Sequence, residues 1–404
     1  MSAIFGMRGT GDWATPDERP KNYREKAFQL FPDSPNPFTA ILSKLPSSSV
    51  DDPEFKIFED RLPHMTWAVT GVIDAAEETI DLDEVLPRTD ASPAKGLKKG
   101  DLLKNTRTGE LMMINAEPVT DWDAVECTRG VGDVAAANTA DHDVLEWAGS
   151  AYEEGSGAPE AVSLAPTVVT NYIQTFKDTC EMTGQAIETL IRPDRPWPRE
   201  KKKCLERHMI QIERAFFHSA KDEISGAGGR KIRFTGGLDD LVDTCVTDFS
   251  ATGVSMDGLE DAFETLFKYG SKSKIAFVGN KALTILNRVV RNNSQFYFMA
   301  SQAIDKKQTF GLRVFNFVCP HGELGLIPHP LLNESATYNS WAYIVDPKYA
   351  EYVYFRNRDT KYTEKDLRQD LIDKVKGQYM TDAGLRLALE ECHGTFKNMT
   401  AYTA

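Results

Sequence analysis

The segment from Arg199 to Ala220, REKKKCLERHMIQIERAFFHSA, constrains the fold more than any other stretch of the chain. Leu205, Met209, Ile212, Phe216 and Ser219 recur at steps of three and four, the spacing that gathers side chains on one stripe of a helix. Pro196 and Pro198 stand just outside or at its first turn, where a missing amide donor is tolerated. Lys201, Lys202, Glu206, Arg207 and Glu213 then fall on the opposite, polar side. Such a helix runs roughly 30 Å at 1.5 Å per residue, enough to serve as the spine of a thin, extended subunit. A core helix of a globular enzyme would carry the same stripe, so the flanking segments have to decide.

Residues 1–60 read as an arm. Prolines at 16, 20, 32, 35, 37, 46 and 53 break every periodic run. The exception is Asn36 to Leu45, which predicts a short helix with Asn36 as cap and Pro37 at its first position. Phe38, Ile41 and Leu42 are isolated apolar anchors that cannot form a core of their own, so the arm must lie along its own body or along a neighbour. From 61 to 165 the pattern turns to short strands separated by turn residues. Candidates are Glu110 to Ala116, Asp123 to Thr128 and Asp143 to Trp147, as in a small inserted sheet or barrel. Val168 begins another strand leading toward the helix, and the glycines Gly226, Gly228 and Gly229 after it predict a hinge.

A second α/β region follows. Met256 to Gly270 predicts an amphipathic helix with Leu259, Phe263, Leu266 and Phe267 inside, and Ile275 to Val278 a buried strand. Further strands are expected at Leu312 to Cys319, Leu324 to Ile327, Trp341 to Val345 and Tyr352 to Arg356. Residues 361–404 read as a long strand returning to the spine helix.

The chain's 404 residues supply two or three core-forming units. Its 60 acidic and 47 basic residues leave a formal charge of −13, which argues against a basic nucleic-acid-binding surface. No apolar run approaches the roughly 18 residues of a membrane span, and the opening MSAIFGMRGTGDW lacks the layout of a secretion signal. Cys127, Cys180, Cys204, Cys245, Cys319 and Cys392 form no CxxC pair and predict reduced, individually buried thiols in a cytoplasmic chain.

Motifs for chemistry are missing. GAGGRK lacks the Lys-Ser/Thr that grips phosphate, and FVGNKAL has one glycine where a dinucleotide loop wants three. Cys319, His321 and His329 match no zinc spacing, and the acidic pairs Glu153–Glu154 and Asp239–Asp240 read as solvated surface. The expectation is therefore no catalytic residue, no metal and no cofactor.

In this order, the pieces resemble a major capsid protein of tailed bacteriophages, of the Hong Kong 97 type. Local phrases carry the resemblance: DPEFKIFEDRLP (Asp52 to Pro63), CTRGVGDVAAANTADHD (Cys127 to Asp143), AYEEGSGAPEA (Ala151 to Ala161) and IERAFFHSA (Ile212 to Ala220). They look like the subgroup whose extended loop carries an inserted β-domain. The resemblance implies an α+β fold with five parts. These are an N-terminal arm (1–60), an extended loop (61–165) with a small β-domain at about 95–150, a peripheral domain (166–228) containing the spine helix (199–220), an axial domain (229–358), and a C-terminal return to the peripheral domain (359–404).

It further implies hexamers and pentamers of a self-assembling icosahedral or prolate virion head, assembled in the host cytoplasm. The head would enclose double-stranded DNA without sequence-specific binding and without a membrane, and the partners would be a portal, a scaffolding protein and decoration proteins. Phe38, Ile41, Leu42 and Trp122 are then candidate contacts between subunits. Lys95, Lys98, Lys99 and Lys104 lie where some members crosslink, but crosslinking is not predicted here. The competing readings are an encapsulin-like nanocompartment shell, a cytosolic enzyme with a pocket around Cys319 to His329, and an adhesion role for the inserted domain through Trp122.

Overall fold

The computed structural model describes residues 36–404 apart from 61–64, 85–93, 95, 119–122, 160, 162, 164, 190–194, 293–307, 310–311, 314, 368–371 and 404. The described chain opens with helix α1 (Pro37–Leu42) and strand β1 (Ser47–Val50). It leaves the body along β2 (Glu54–Glu59) and returns along β9 (Thr167–Tyr172), and these two strands pair as an antiparallel ribbon. Between them lie β3 (Thr66–Val69), β4 (Thr79–Glu84), β5 (Asp101–Asn105), β6 (Leu111–Ile114), β7 (Ala124–Val131) and β8 (Val144–Ser150).

Those six strands close into a barrel in the order β3-β4-β7-β6-β5-β8. Alternate residues point inward, as the two-residue period of a strand requires: Trp67 and Val69, Ile80 and Leu82, Met112 and Ile114, Val125 and Cys127. Together with Leu103 and Leu145 they form a core drawn only from residues 67–145. The inserted unit therefore starts well before the expected residue 95. β3 escaped notice because Thr66–Val69 is only four residues long, and β4 because four of the six residues of Thr79–Glu84 are polar.

The body follows. β10 (Gln174–Thr183) runs into the short α2 (Gly184–Glu188), then the long α3 (Pro196–His218), the hairpin β11 (Asp222–Ser225) and β12 (Lys231–Phe234), and α4 (Leu238–Leu241). Next come β13 (Val246–Asp248), α5 (Met256–Phe267), β14 (Ser273–Val278), α6 (Asn280–Asn292), and a two-residue ribbon of β15 (Gln308–Thr309) and β16 (Leu312–Arg313). The chain ends with β17 (Phe315–Cys319), β18 (Gly322–Pro328), β19 (Ala342–Val345), β20 (Ala350–Phe355), β21 (Lys361–Asp366), β22 (Lys374–Leu387) and β23 (Gly394–Lys397).

Two sheets share this body. One is mixed, in the order β13-β23-β19-β14-β18-β17; the other is β1-β20-β22-β10 with β21 also on β22. Alternation gives the six-stranded sheet two different faces. Ala276 and Val278 of β14, with Ala342 and Ile344 of β19, meet the stripes of α5 (Leu259, Ala262, Phe263, Leu266) and α6 (Ala282, Ile285, Leu286, Val289). Their neighbours Phe277, Tyr343 and Val345 face the other way, onto α1 and α3. Ser255 begins α5 by accepting the Gly258 amide at 3.1 Å. The Cβ of any larger residue at Gly237 would lie 2.7 Å from the Ala215 carbonyl, so glycine lets this turn close against the end of α3.

Strand membership cuts across the expected divisions. β20 belongs to the five-stranded sheet with β22, not to the region of α5 and α6, and β23 leaves that sheet to insert between β13 and β19. The last residues thus finish the six-stranded sheet. β22 is the long returning strand, pairing along ten residues of β10.

Candidate assembly surface

Helix α3 spans both sheets, and its stripe is not the one that spacing suggests. It begins at Pro196, because prolines in the first turn forfeit only donors that have no helical partner, and it ends at His218, where Ser219 turns extended. The buried residues are Cys204, His208, Ile212, Glu213, Phe216 and Phe217. Ile212 and Phe216 lie in the main core and Met209 packs half-buried against it, whereas Leu205 is 36% exposed. The sheet explains the offset. β22 presents Thr381, whose hydroxyl meets His208 Nε2 at 2.7 Å, so a polar residue faces inward there and the apolar one beside it faces out. Burial pushes the His208 imidazole below its ordinary pKa. Outside, Arg207 grips Asp178 of β10 at 3.1 and 3.2 Å and Lys201 reaches Glu364 of β21 at 2.9 Å.

Glu213, expected on the polar side, is fully buried. Its Oε1 accepts from the Phe38 amide at 2.8 Å and meets His329 Nε2 at 2.9 Å; its Oε2 accepts from the Thr39 amide at 2.8 Å and from the Thr39 hydroxyl. The carboxylate therefore caps α1 from a distant helix, while Asn36, the expected cap, makes no capping bond. Phe38, Ile41 and Leu42 are 1%, 3% and 0% exposed, seated in the chain's own core rather than displayed on its surface. Phe38 is enclosed by Phe216, Phe217 and Phe277, with ring centres at 6.4, 5.2 and 5.0 Å. The missed signal was an acid flanked by Ile212, Phe216 and Phe217 inside an apolar stripe.

Gly226, Gly228 and Gly229 form the turn of the β11–β12 hairpin instead of a hinge. The Gly226 amide donates to the Arg230 carbonyl at 2.8 Å, and Gly229 takes φ +71°, which a residue with a side chain resists. Asp239 is not solvated surface either: it accepts from the Tyr343 hydroxyl at 2.7 Å and pairs with His218 Nδ1 at 2.8 Å. Trp122 and Lys95 lie outside the described residues. Cys319, at the end of β17, donates to the Gly322 carbonyl at 3.0 Å, and His329 is committed to Glu213. Among the described residues no group of three or more His, Cys, Asp or Glu side chains converges as metal ligands, and no helix is long and apolar enough to cross a membrane.

Among the described residues, exposed apolar side chains occur in pairs on two ribbons. The β2–β9 ribbon exposes the register pair Phe58 and Val168, at 71% and 46%. The β11–β12 hairpin exposes its own cross-strand pair, Ile224 and Ile232. Beside that hairpin an open groove of about 750 Å³ is lined by Ile173, Lys177, Lys231, Arg233, Phe355 and Arg358 among others.

The barrel is fixed by buried charge. Glu110, fully buried, accepts from Arg129 at 2.8 and 2.9 Å and from the Gly130 and Ala137 amides at 3.0 and 3.2 Å. Burial raises its pKa, but the guanidinium and the two amides more than offset this, and the group stays below the usual glutamate range. Asp143 is held at about 2 by the Arg107 guanidinium, against the opposing effect of burial and with help from Asn105.

The sequence profile of the SU10 major capsid protein family matches residues 6–400. A major capsid protein of Pseudomonas phage PaMx41 is 22% identical over 355 residues, covering 84% of this chain and 80% of that protein. Among solved structures, the capsid of an empty GTA particle aligns over 97% of this chain and 99% of its own, at 8% identity and a TM-score of 0.47. The structure of Microbacterium phage Oxtober96 covers 96% and 98%, at 9% identity and 0.45. The profile match takes in nearly the whole chain, and the protein belongs to the SU10 family of phage major capsid proteins, the subunits of the virion shell.

Proposed function

We propose that copies of this chain close into hexamers and pentamers of an icosahedral or prolate head around double-stranded DNA, with the ribbon and barrel of each copy lying over a neighbour. On this reading the architecture is of the Hong Kong 97 type: residues 61–165 form the extended loop, the five-stranded sheet with α3 the peripheral domain, and the six-stranded sheet with α5 and α6 the axial domain. A portal, a scaffolding protein and decoration proteins are the expected partners.

The observation that carries the proposal is the β2–β9 ribbon. It is a two-stranded element, too slight to be stable alone, that leads to a barrel with a separate core while exposing the pair Phe58 and Val168. Apolar surface on such an element becomes favourable when another copy covers it. The charge distribution is consistent with a special role for this excursion, since 25 of the 60 acidic residues but only nine of the 47 basic ones fall between residues 51 and 165. Acids that face the packaged genome would keep it from adhering to the wall; a basic inner lining in assembled particles would refute that part.

Negative-stain microscopy of the expressed protein tests the whole. Closed particles are expected from the wild type, and folded but unassembled subunit from Phe58→Asp. A small discrete oligomer from the wild type would overturn the shell. An undiminished particle yield from the variant would take the ribbon out of the interface. Nucleic acid in purified particles distinguishes a phage head from a cargo-loaded compartment.

A further inference from the structure

We propose that α1 is a detachable strap over the seam between the two sheets, and that Glu213 is its catch. The seam is where the main core draws on both sheets at once: Phe277, Tyr343 and Val345 from the six-stranded one, Phe176, Ala350, Ala383 and Leu385 from the five-stranded one. α1 lies on that seam and fills an aromatic socket with Phe38.

A six-residue helix has no stability of its own in water, because nucleation costs more than so few bonds return. Its local cap is absent as well, since the Asn36 side-chain oxygen is buried without a partner. What holds the helix is its seat and the remote carboxylate, which binds the two amides of its first turn. The attachment on the other side is slight. Among the described residues β1 is an edge strand paired only with β20, and β20-β22-β10 remains a continuous sheet without it. When the strap leaves, Glu213 keeps His329 as its partner. With its proton on Nε2, His329 donates to the carboxylate whether α1 is docked or not, and its buried, unpartnered Nδ1 strands no hydrogen. Departure of α1 therefore leaves the carboxylate paired, so the rest of the body need not unfold with it. On the shell reading, on which this consequence rests, a removable strap ties the position of the arm to the way one copy seats on the next.

The test is hydrogen exchange and hydrophobic-dye binding on the unassembled subunit, so that its result does not depend on whether shells form. In Glu213→Gln one of the carboxylate oxygens becomes an amide that cannot accept. Exchange across residues 38–45 and 47–50 should rise about tenfold or more, dye fluorescence should rise as the Phe216, Phe217 and Phe277 socket is uncovered, and exchange in β22 and in the barrel should stay unchanged. Unchanged exchange at 38–45 overturns the proposal, and so does an equal rise throughout the body, because α1 would then not be a separable unit. If Glu213→Gln yields no soluble protein, Thr39→Ala decides. It removes only the hydroxyl donor and must give a smaller rise confined to the same residues; no rise there overturns the proposal.

Discussion

Glu110 and Glu213 are both fully buried carboxylates that accept two backbone amides, yet they hold together very different kinds of structure. The amides of Glu110 belong to Gly130 and Ala137, and its counter-charge is Arg129, all within the barrel. The amides of Glu213 belong to Phe38 and Thr39, 175 and 174 residues away; the Thr39 hydroxyl also donates to it, and His329 lies 116 residues downstream. The barrel is therefore closed by short-range contacts with an arginine to balance its acid. The seam of the body is assembled from the arm, the long helix and both sheets, and among the described residues no arginine pairs with its acid. Failure in the barrel should stay local, and so should release of α1, whereas loss of the long helix's own apolar residues, which both sheets share, should spread.

The largest effect should come from the seam. Ile212→Asp forces a charge into a position 1% exposed, beside Phe216 and Phe217. Loss of soluble subunit in expression trials is expected. Soluble protein with a wild-type melting curve would show that the helix stripe is misassigned. Arg129→Ala should come next. It strips Glu110 of its counter-charge inside the barrel and should cost about 3–5 kcal/mol there, because the orphaned carboxylate remains buried. Exchange mapping should show the loss in β6 and β7 while β14 and β22 stay protected; a loss shared equally by the body would erase the contrast between the two regions.

Acid should sharpen the same contrast. Asp143 is held at about 2 in the folded barrel by Arg107, below the roughly 4 of an unfolded aspartate. A depressed carboxylate contributes stability that is present above the unfolded value and lost as pH falls through the folded one. The barrel should therefore weaken between about pH 4 and about pH 2, and Asp143→Asn should flatten that dependence. Chemical-shift or exchange titration of β5 and β8 measures it, and an unaltered slope in the variant would remove Asp143 as its source.

These contrasts also mark how far the sequence could be read. Helical periodicity located α5 and the long helix, and short continuous apolar runs located β14 and β19, whose faces are both buried. Periodicity could not fix which side of the helix is inward, because Cys204 and His208 are small or polar and face inward only where Cys180 and Thr381 are opposite. Phe38, Ile41 and Leu42 stood out as anchors in a proline-broken segment, but a chain-internal seat and a seat on a neighbour have the same local pattern. Glu213 was beyond reach for the reason that makes it useful: its partners lie more than a hundred residues away on either side. The hairpin glycines were recognised as a break, but the pairing of Ile224 with Ile232 that turns a break into a hairpin depends on two short strands of mixed composition.

The smallest predicted effect isolates the error about the stripe. Leu205 and Ile212 are seven residues apart, which on an α-helix is about two turns and nominally one face. They differ in what they meet: Leu205 remains 36% exposed, while Ile212 is 1% exposed within the shared core. Truncating Ile212 to alanine removes buried methyl groups and should cost about 2–4 kcal/mol. The same truncation at Leu205 should cost less, about 1 kcal/mol, since more than a third of its surface stays in water and no closed cavity is left behind. Urea unfolding of the two variants under one set of conditions gives both values, and equal losses would mean that the helix is rotated by roughly one residue from the position described.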